Sequence, residues 1–356
     1  MSVNSYLNTP WRIGKFKGNI LKRAIPSEVL QREGRQVQMP KNNSNTYVAR
    51  RFLPYGATAT DANTINRFFQ NGTGDRTLSM IAANTASEGV TTTPDSITPQ
   101  DTTVVIQQFN CLYGFTDQTY DLGEDDIAKE CASIVGERVT LINEQIVYGA
   151  LNACTNVYYG GTGTSRATVN GGVTLNFLRK IAQNLAANHG MMVNTTLNAS
   201  GDFGTSAVSA GYVVYAHTDL EPDIRDLPNF IPVEKYASRK PISDYEIGAC
   251  ERFRFVLSPD LPSVQDAGAA IAATGLYSTS GTNIDVYRMV VLAKEAFSQI
   301  AVRGESSTDP TMLMPGQKDK SDPQGQRGYA GAKWYKAVML ENQGWMASAN
   351  VGRKAL

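Results

Sequence analysis

The sequence predicts a mixed α+β fold, and three observations carry this prediction. Apolar residues recur at helical spacing along residues 123–154, and a second amphipathic segment follows at 174–190. Short apolar runs typical of strands dominate the chain after residue 211. Because helices come early and strands mixed with short helices come late, we expect an α+β architecture instead of repeated βαβ units.

Length and composition indicate a globular protein. The 356 residues can bury a sizeable core, and the pI is near 6.7. No apolar run approaches the ~20 residues that cross a bilayer, and residues 1–19 lack a signal-peptide core, so we expect neither a membrane protein nor a classically secreted one. The four cysteines lack paired metal-site spacing and are predicted to be reduced and buried; they are Cys111, Cys131, Cys154 and Cys250.

Charge is distributed unevenly along the chain. Residues 1–53 hold ten basic and two acidic side chains, residues 54–314 hold sixteen and twenty-eight, and residues 315–356 hold seven and three. A basic segment attached to an acidic body complements other copies of itself, so self-assembly is the first hypothesis. Nucleic acid is the competing explanation for basic ends, although a dedicated nucleic-acid binder should be basic overall.

Residues 1–35 have no sustained periodicity. We interpret them as an arm that docks on a neighbouring subunit, with Trp11 as its apolar anchor and Arg12, Lys15 and Lys17 as its charged residues. The alternative interpretation is a disordered tail.

Residues 36–53 alternate between apolar and polar side chains. They predict a hairpin in which Val37 and Met39 belong to the first strand and residues 47–52 form the second. An isolated hairpin is marginal in water, so this one needs a surface to lie on. We expect both arginines of the second strand on its exposed face, and the candidate interface residues are Lys41, Tyr47, Arg50, Arg51 and Phe52.

The remaining elements follow from local patterns. A short helix is predicted at 61–71 and a linker at 90–99. The helix at 123–154 begins with acids, which the helix dipole favours, and would be roughly 45 Å long. A second helix starts at its N-cap Thr174 and stops at Gly190. Strands are predicted at 102–109, 212–217, 231–233, 252–257, 285–293 and 335–340, with a short helical segment at 220–227.

The search for catalytic chemistry finds no complete set of residues. The two histidines, His189 and His217, sit at a helix stop and a strand end, where structural roles are expected. The glycine-rich run 160–165 lacks the lysine of a phosphate loop and is preceded by a predicted helix, so we interpret it as a flexible surface loop. The calcium-loop spacing at 117–121 fails because Leu122 stands where glycine is required.

An acidic segment is the strongest candidate for catalysis. Asp219, Glu221, Asp223 and Asp226 could supply paired carboxylates for a hydrolase. The same segment contains prolines and Arg225, which are typical of a turn-rich, ion-paired loop. No catalytic, cofactor-binding or metal-binding residue is predicted.

Several segments together resemble a known family. Their order along the chain is the one seen in major capsid proteins of tailed bacteriophages. The segments are a basic arm, the hairpin, a Thr/Pro linker at 88–99, the sequence Tyr113-Gly114-Phe115-Thr116-Asp117 and the long helix. More narrowly, the chain resembles the coat family typified by coliphage N-four. Residues 212–227, 246–259 and 333–340 resemble later strands and a short helix of that family.

The resemblance implies the Hong Kong 97 type capsid fold. On this mapping residues 1–35 are the arm, 36–90 the extended loop, 91–205 and 316–356 the peripheral domain with its long helix at 123–154, and 206–315 the axial domain. It also implies hexamers and pentamers of an icosahedral shell around double-stranded DNA, touched without sequence preference. The shell would be part of the virion, assembled in the bacterial cytoplasm without a membrane.

The same resemblance implies partners and an interface. Separate scaffolding and portal proteins are expected, and shell strength would be non-covalent or come from a decoration protein. Asp223, Arg225 and Asp226 are further candidates for contacts between subunits. The alternatives left open are a hydrolase that uses the acidic segment and a nucleic-acid-binding protein that uses the basic arm.

Overall fold

The computed structural model describes residues 29–52, 81–193, 207–236, 241–271, 275–302, 308–318 and 321–355, apart from positions 33, 41–43, 82–83, 92–93, 95, 98 and 124. Over these residues the predicted α+β architecture is confirmed. The predicted helix at 61–71 lies outside the described residues. So do five candidate interface residues: Trp11, Arg12, Lys15, Lys17 and Lys41.

A seven-stranded sheet holds most of the buried apolar side chains. In spatial order its strands are β5 (Val157–Tyr159), β14 (Met346–Val351), β10 (Tyr287–Leu292), β6 (Tyr212–His217), β9 (Phe253–Ser258), β8 (Glu246–Cys250) and β7 (Phe230–Pro232). Strands β6 and β9 run parallel, as do β14 and β5, and the other pairs are antiparallel. Four of these strands were predicted within two residues. Strand β8 lies in the segment 246–259 that the resemblance assigned to a later strand, and β5 and β14 were not predicted.

A second sheet contains five strands. They are β1 (Arg35–Met39), β11 (Phe297–Val302), β13 (Arg327–Leu340) and β12 (Thr308–Leu313) in spatial order, with β4 (Gln107–Thr116) also paired to β13. Strand β13 is much longer than the predicted 335–340, because its first half pairs with β4 and β12 before its second half pairs with β11.

The α-helices of the described part of the chain are α1 (Asp117–Leu122), α2 (Ile127–Leu151), α3 (Leu175–Ala187) and α4 (Glu221–Arg225). Helix α2 has 25 residues, because Asp126 caps it by accepting from the backbone N–H of Lys129. Its length is therefore roughly 37 Å, shorter than the 45 Å expected from 123–154. Helix α2 packs on both sheets, its first half against Phe115 and Trp334 and its second half against the seven-stranded sheet.

Helix α3 covers the opposite face of the seven-stranded sheet. Its predicted N-cap is confirmed, since the Thr174 side chain accepts from the backbone N–H of Phe177. The helix ends at Ala187 and not at Gly190, because His189 takes the left-handed conformation (φ 57°) that reverses the chain. The backbone N–H of Gly190 then donates to Leu185.

The body of the subunit begins before the predicted end of the arm. Val29 and Leu30 are 2% and 0% exposed, and they pack in the same cluster as Leu151 and Phe297. A 3-10 turn, Leu30–Arg32, follows, and Arg35 begins β1. Val29, Leu30 and Arg35 therefore belong to the packed body, although they fall within the predicted arm at 1–35. Two isolated apolar side chains create no periodicity, so their burial left no pattern in the sequence.

Candidate assembly surfaces

The predicted hairpin has the wrong strand pairing. Strand β1 pairs in parallel with β11, while the second predicted strand, β2 (Thr46–Phe52), pairs antiparallel with β3 (Pro99–Val105). Arg50 thus faces Asp101 across the ribbon, 51 residues away in sequence. The alternation at β1 fits the edge of the five-stranded sheet equally well, so periodicity alone could not choose the partner.

The inner face of the ribbon formed by β2 and β3 lies on its own subunit. Tyr47, Ala49 and Val104 pack against a buried cluster that contains Met39 and Ile300. The expectation that this segment needs a supporting surface is confirmed. The surface is the five-stranded sheet of the same chain.

The outer face of the ribbon exposes large apolar side chains. Val48, Phe52 and Val105 are 50%, 64% and 54% exposed. Successive strand residues point to opposite faces, so these three share the face that turns away from the body. The exposed Arg50–Asp101 pair lies on the same face between Val48 and Phe52, so this face combines apolar and charged side chains, a mixture found in surfaces that contact another protein.

The two arginines of β2 lie in different environments. Arg50 is exposed and forms a bidentate ion pair with Asp101, with Nε to Oδ1 at 2.7 Å and Nη2 to Oδ2 at 2.8 Å. This hydrogen bonding lowers the pKa of the Asp101 carboxyl. Arg51 instead points inward, where its Nη1 donates to the Glu341 carbonyl at 3.1 Å and burial lowers its pKa. The prediction that both arginines are exposed is wrong for Arg51, because adjacent strand residues alternate.

The acidic segment is held by the end of the described chain. Asp219 accepts from the Tyr287 hydroxyl at 2.8 Å and lies 3.8 Å from Arg353. Asp223, which is 5% exposed, accepts from the backbone N–H of Lys354 at 3.0 Å. These two carboxylates are therefore engaged within the subunit.

The other acids of this segment are also paired. Glu221 accepts from Arg225 four residues later at 2.8 Å, and Asp226 accepts from the Lys354 ammonium at 3.3 Å. The arrangement is the ion-paired loop anticipated as the alternative to a pair of catalytic carboxylates. Because Asp223 is buried inside the subunit, its side chain is covered, whereas Arg225 and Asp226 remain at the surface.

His217 also has a structural partner. Its Nδ1 accepts from the backbone N–H of Asp219 at 3.0 Å and so caps the turn that follows β6. This agrees with the hydrogen-bonded structural role expected for it.

The glycine-rich run differs from expectation in two respects. The strand β5, and not a helix, immediately precedes it. The run is tied down by hydrogen bonds, since the Thr168 hydroxyl accepts from the backbone N–H groups of Thr164 and Ser165, each at 3.0 Å. The loop nevertheless contains no lysine in the phosphate-loop position.

Among the described residues, no group of three or more His, Cys, Asp or Glu side chains is arranged to hold a metal ion. None of the helices described is both long and apolar enough to span a bilayer.

Some of these surface residues were missed in the sequence. Asp101 and Val105 belong to the ribbon. The strand predicted at 102–109 includes Val105, but neither its start at Pro99 nor its pairing with residues 46–52 was predicted. Arg353 and Lys354 showed no local pattern at all, because they are isolated residues that meet the acidic segment only in the folded chain.

The comparisons with known proteins point to phage capsids. No protein-family model matches the chain. The major capsid protein of Pseudomonas phage KPP21 is 26% identical over 212 residues, which is 55% of this chain and 53% of that protein. The match thus spans about half the length of this curated relative.

Solved capsid structures are similar over nearly the whole chain. The capsid of Ralstonia phage GP4 has a TM-score of 0.63 at 11% identity and covers 96% of both chains. The head structure of Helicobacter pylori bacteriophage KHP40 has a TM-score of 0.55 at 11% identity, over 99% of this chain and 98% of the other. The capsid of cyanophage P-SCSP1u has a TM-score of 0.55 at 12% identity, over 96% and 93%. The chain therefore has a fold found in phage capsids, and the resemblance seen in the sequence is confirmed at the level of the fold.

Proposed function

We propose that this chain is the major capsid protein of a tailed bacteriophage, a structural subunit without catalytic activity. The observation that carries the proposal is the fold that it shares with the Ralstonia phage GP4 capsid over 96% of both chains. The partial match to the KPP21 major capsid protein supports the same function. The subunits would form hexamers and pentamers of an icosahedral shell around double-stranded DNA.

Within this proposal, the chain follows the Hong Kong 97 type of capsid fold. The long helix α2, which joins the two sheets, supports this assignment. The arm would be residues 1–28, and the extended loop would include the β2 and β3 ribbon, so it reaches beyond the boundary of 36–90 to Val105. The peripheral domain would hold 91–205 and 316–356 apart from β3, and the axial domain 206–315.

The ribbon and the arm are the proposed contacts between subunits. The exposed side chains of Val48, Phe52 and Val105 support a role for the outer face of the ribbon. The arm would contribute Trp11 and its basic residues, and Arg225 and Asp226 would contribute from the acidic segment. The shell would assemble in the bacterial cytoplasm with separate scaffolding, portal and decoration proteins. It would contact the packaged DNA through phosphates.

The two alternative functions receive no support from the site. A hydrolase would need acids free to act on a substrate, yet the carboxylates at 219–226 are held by Tyr287, Arg225, Arg353 and Lys354. Of the basic residues that a nucleic-acid-binding function of residues 12–51 would use, Arg50 is paired with Asp101 and Arg51 is turned inward, while those of the arm lie outside the described residues.

Negative-stain electron microscopy combined with sedimentation tests the proposal. The protein is expressed alone and then together with the genes that neighbour its own. Closed shells, or uniform hexamers and pentamers, are the expected result. A monodisperse monomer under every condition would contradict the proposal and would direct attention back to the acidic segment.

A further inference from the structure

A buried carboxylate lies in the second half of helix α2. Glu144 is 1% exposed, and it shares its surroundings with apolar side chains such as Val147 and Tyr148. Burying a carboxylate is costly unless hydrogen bonds replace the water that it loses. Its hydrogen-bond partners therefore show what this residue does.

The partners of Glu144 all belong to the segment that follows the arm. The backbone N–H of Leu30 donates to Oε1 at 2.8 Å, and that of Val29 donates to the same oxygen at 3.3 Å. The side-chain amide of Gln31 donates to Oε2 at 3.4 Å. We call residues 29–31 the arm root, since residues 1–28 are the part of the chain that precedes them.

Gln31 connects the arm root to three elements. Its side-chain amide also donates to the Thr140 carbonyl of α2 at 3.2 Å. Its own carbonyl accepts from Gln299 of β11 at 2.9 Å, and its side-chain oxygen accepts from Lys336 of β13 at 3.3 Å. The root is thus attached at once to the long helix and to two strands of the five-stranded sheet.

The polar contacts fix the position of the root more strictly than apolar packing alone would. Burial of Val29 and Leu30 is non-directional and would tolerate small shifts of the chain. Two backbone N–H groups that share one carboxylate oxygen fix both the position and the orientation of the backbone.

We propose that Glu144 is the positioning residue of the N-terminal arm. It holds the arm root so that residues 1–28, which contain five basic side chains and one acidic, leave the body from one fixed point. A neighbouring copy can then receive the arm in a single register. This inference rests on the proposed function, because an arm that meets no neighbour needs no defined starting point.

Hydrogen exchange of the full-length, unassembled subunit tests the anchor directly. Glu144→Leu removes the acceptor and leaves two buried N–H groups unpaired, so the amides of Val29 and Leu30 should exchange about tenfold faster or more. Glu144→Gln keeps one acceptor oxygen and should retain most of the protection. Glu137→Leu, two turns earlier on the same helix, is the matched control and should leave the root unchanged.

A variant of the root itself keeps the test valid if Glu144→Leu does not fold. Gln31→Ala leaves helix α2 intact but removes the contacts to Thr140, Lys336 and one carboxylate oxygen. Trypsin should then cleave faster after Arg35. The proposal that Glu144 anchors the root would be wrong if hydrogen exchange and trypsin cleavage were unchanged in these variants. It would also be wrong if the Glu137→Leu control showed equally fast exchange and cleavage.

Assembly is measured separately with the same variants. We expect Glu144→Leu to yield fewer closed shells than Glu144→Gln and Glu137→Leu. Normal shells from a variant with a loosened root would overturn the positioning role while leaving the capsid function intact. If the unsubstituted protein stays a monomer under every condition, with and without the products of the neighbouring genes, the proposed function fails, and with it the positioning role, whereas the exchange data still decide whether Glu144 anchors the root.

Discussion

The inner strands of the seven-stranded sheet are buried on both faces, whereas the strands of the β2 and β3 ribbon are packed on one face only. Every residue of β9 and β14 is buried, because helices and the arm root cover both faces of that sheet. The ribbon instead alternates, with one face packed on the body and one exposed. The sheet therefore stabilises the isolated subunit, whereas the outer face of the ribbon adds little until another surface covers it.

The largest effect should come from removing the arm root. Deleting residues 1–35 removes Val29 and Leu30 from the core beside the sheet and should lower the free energy of unfolding by about 3–6 kcal/mol. Deleting only 1–28 should change it by less than about 1 kcal/mol. Urea denaturation of both truncations provides the measurement, and equal stabilities would show that the root is not part of the core.

Shell formation by the shorter truncation is a separate test of the arm. Under the proposed function, the subunit without residues 1–28 folds but does not form closed shells. Normal particles from it would rule out an essential role of the arm in assembly.

Two phenylalanines compare the sheet with the ribbon directly. Phe255 of β9 is fully buried, so Phe255→Ala should lower the free energy of unfolding by about 3–5 kcal/mol. Phe52 is 64% exposed, and Phe52→Ala should change it by less than about 0.5 kcal/mol. Denaturant unfolding of the unassembled subunits measures both, and similar losses would contradict the division of roles.

Phe52 should contribute to the free energy of association between subunits. If its ring is buried in an interface, Phe52→Ser loses about 1.5–3 kcal/mol per contact, which raises the protein concentration needed for assembly by roughly tenfold or more. Light scattering over a concentration series checks this result. Thr103→Ser, on the same face of the ribbon, is the control. An unchanged assembly threshold for Phe52→Ser would mean that this face stays exposed.

The neighbouring arginines of β2 lie on opposite faces of the ribbon, so their substitutions should have different effects. Arg51→Glu leaves the Glu341 carbonyl without its donor and should lower the free energy of unfolding by about 1–2 kcal/mol. Arg50→Glu breaks only an exposed pair, so we expect little change in the subunit and an effect on assembly that weakens as salt is added. Thermal unfolding at two salt concentrations distinguishes them, and a larger loss for Arg50→Glu would reverse the assignment of faces.

The smallest effect concerns pH. Burial raises the pKa of Glu144 above its ordinary value, and hydrogen bonds from the arm root offset only part of that rise. The stability that Glu144 contributes is therefore fully present below its ordinary pKa and is lost as pH rises through the raised value. Stability curves of the parent and of Glu144→Gln should diverge across that window and run parallel above it. Parallel curves throughout would show that its pKa is not shifted.

The elements predicted best have local causes. Thr174 caps α3, and the run at 212–217 coincides with β6, because capping and continuous apolar character operate within a few residues. Strand β14 was missed because its sequence, MASANV, is rich in small and polar residues; tight packing between β10 and β5 buries them, and no pattern reports it.

The candidate surfaces were harder to predict, because they depend on distant partners. Arg50 was predicted to be exposed and Phe52 was named as a candidate interface residue, but Asp101 was not recognised as the partner of Arg50. Glu144 was missed because an acid near the end of an amphipathic helix is usually solvated, and its burial becomes visible only once Val29 and Leu30 are placed beside it.

The four buried cysteines are built-in reporters of local opening. Cys111 and Cys131 lie between α2 and the five-stranded sheet, while Cys154 and Cys250 lie on opposite faces of the seven-stranded sheet. Burial raises the pKa of Cys154 to about 11, so the thiol is both covered and protonated at neutral pH. A thiol reagent can reach each site only when that part of the subunit opens. The order in which the four thiols react would therefore show which layer of the subunit opens first.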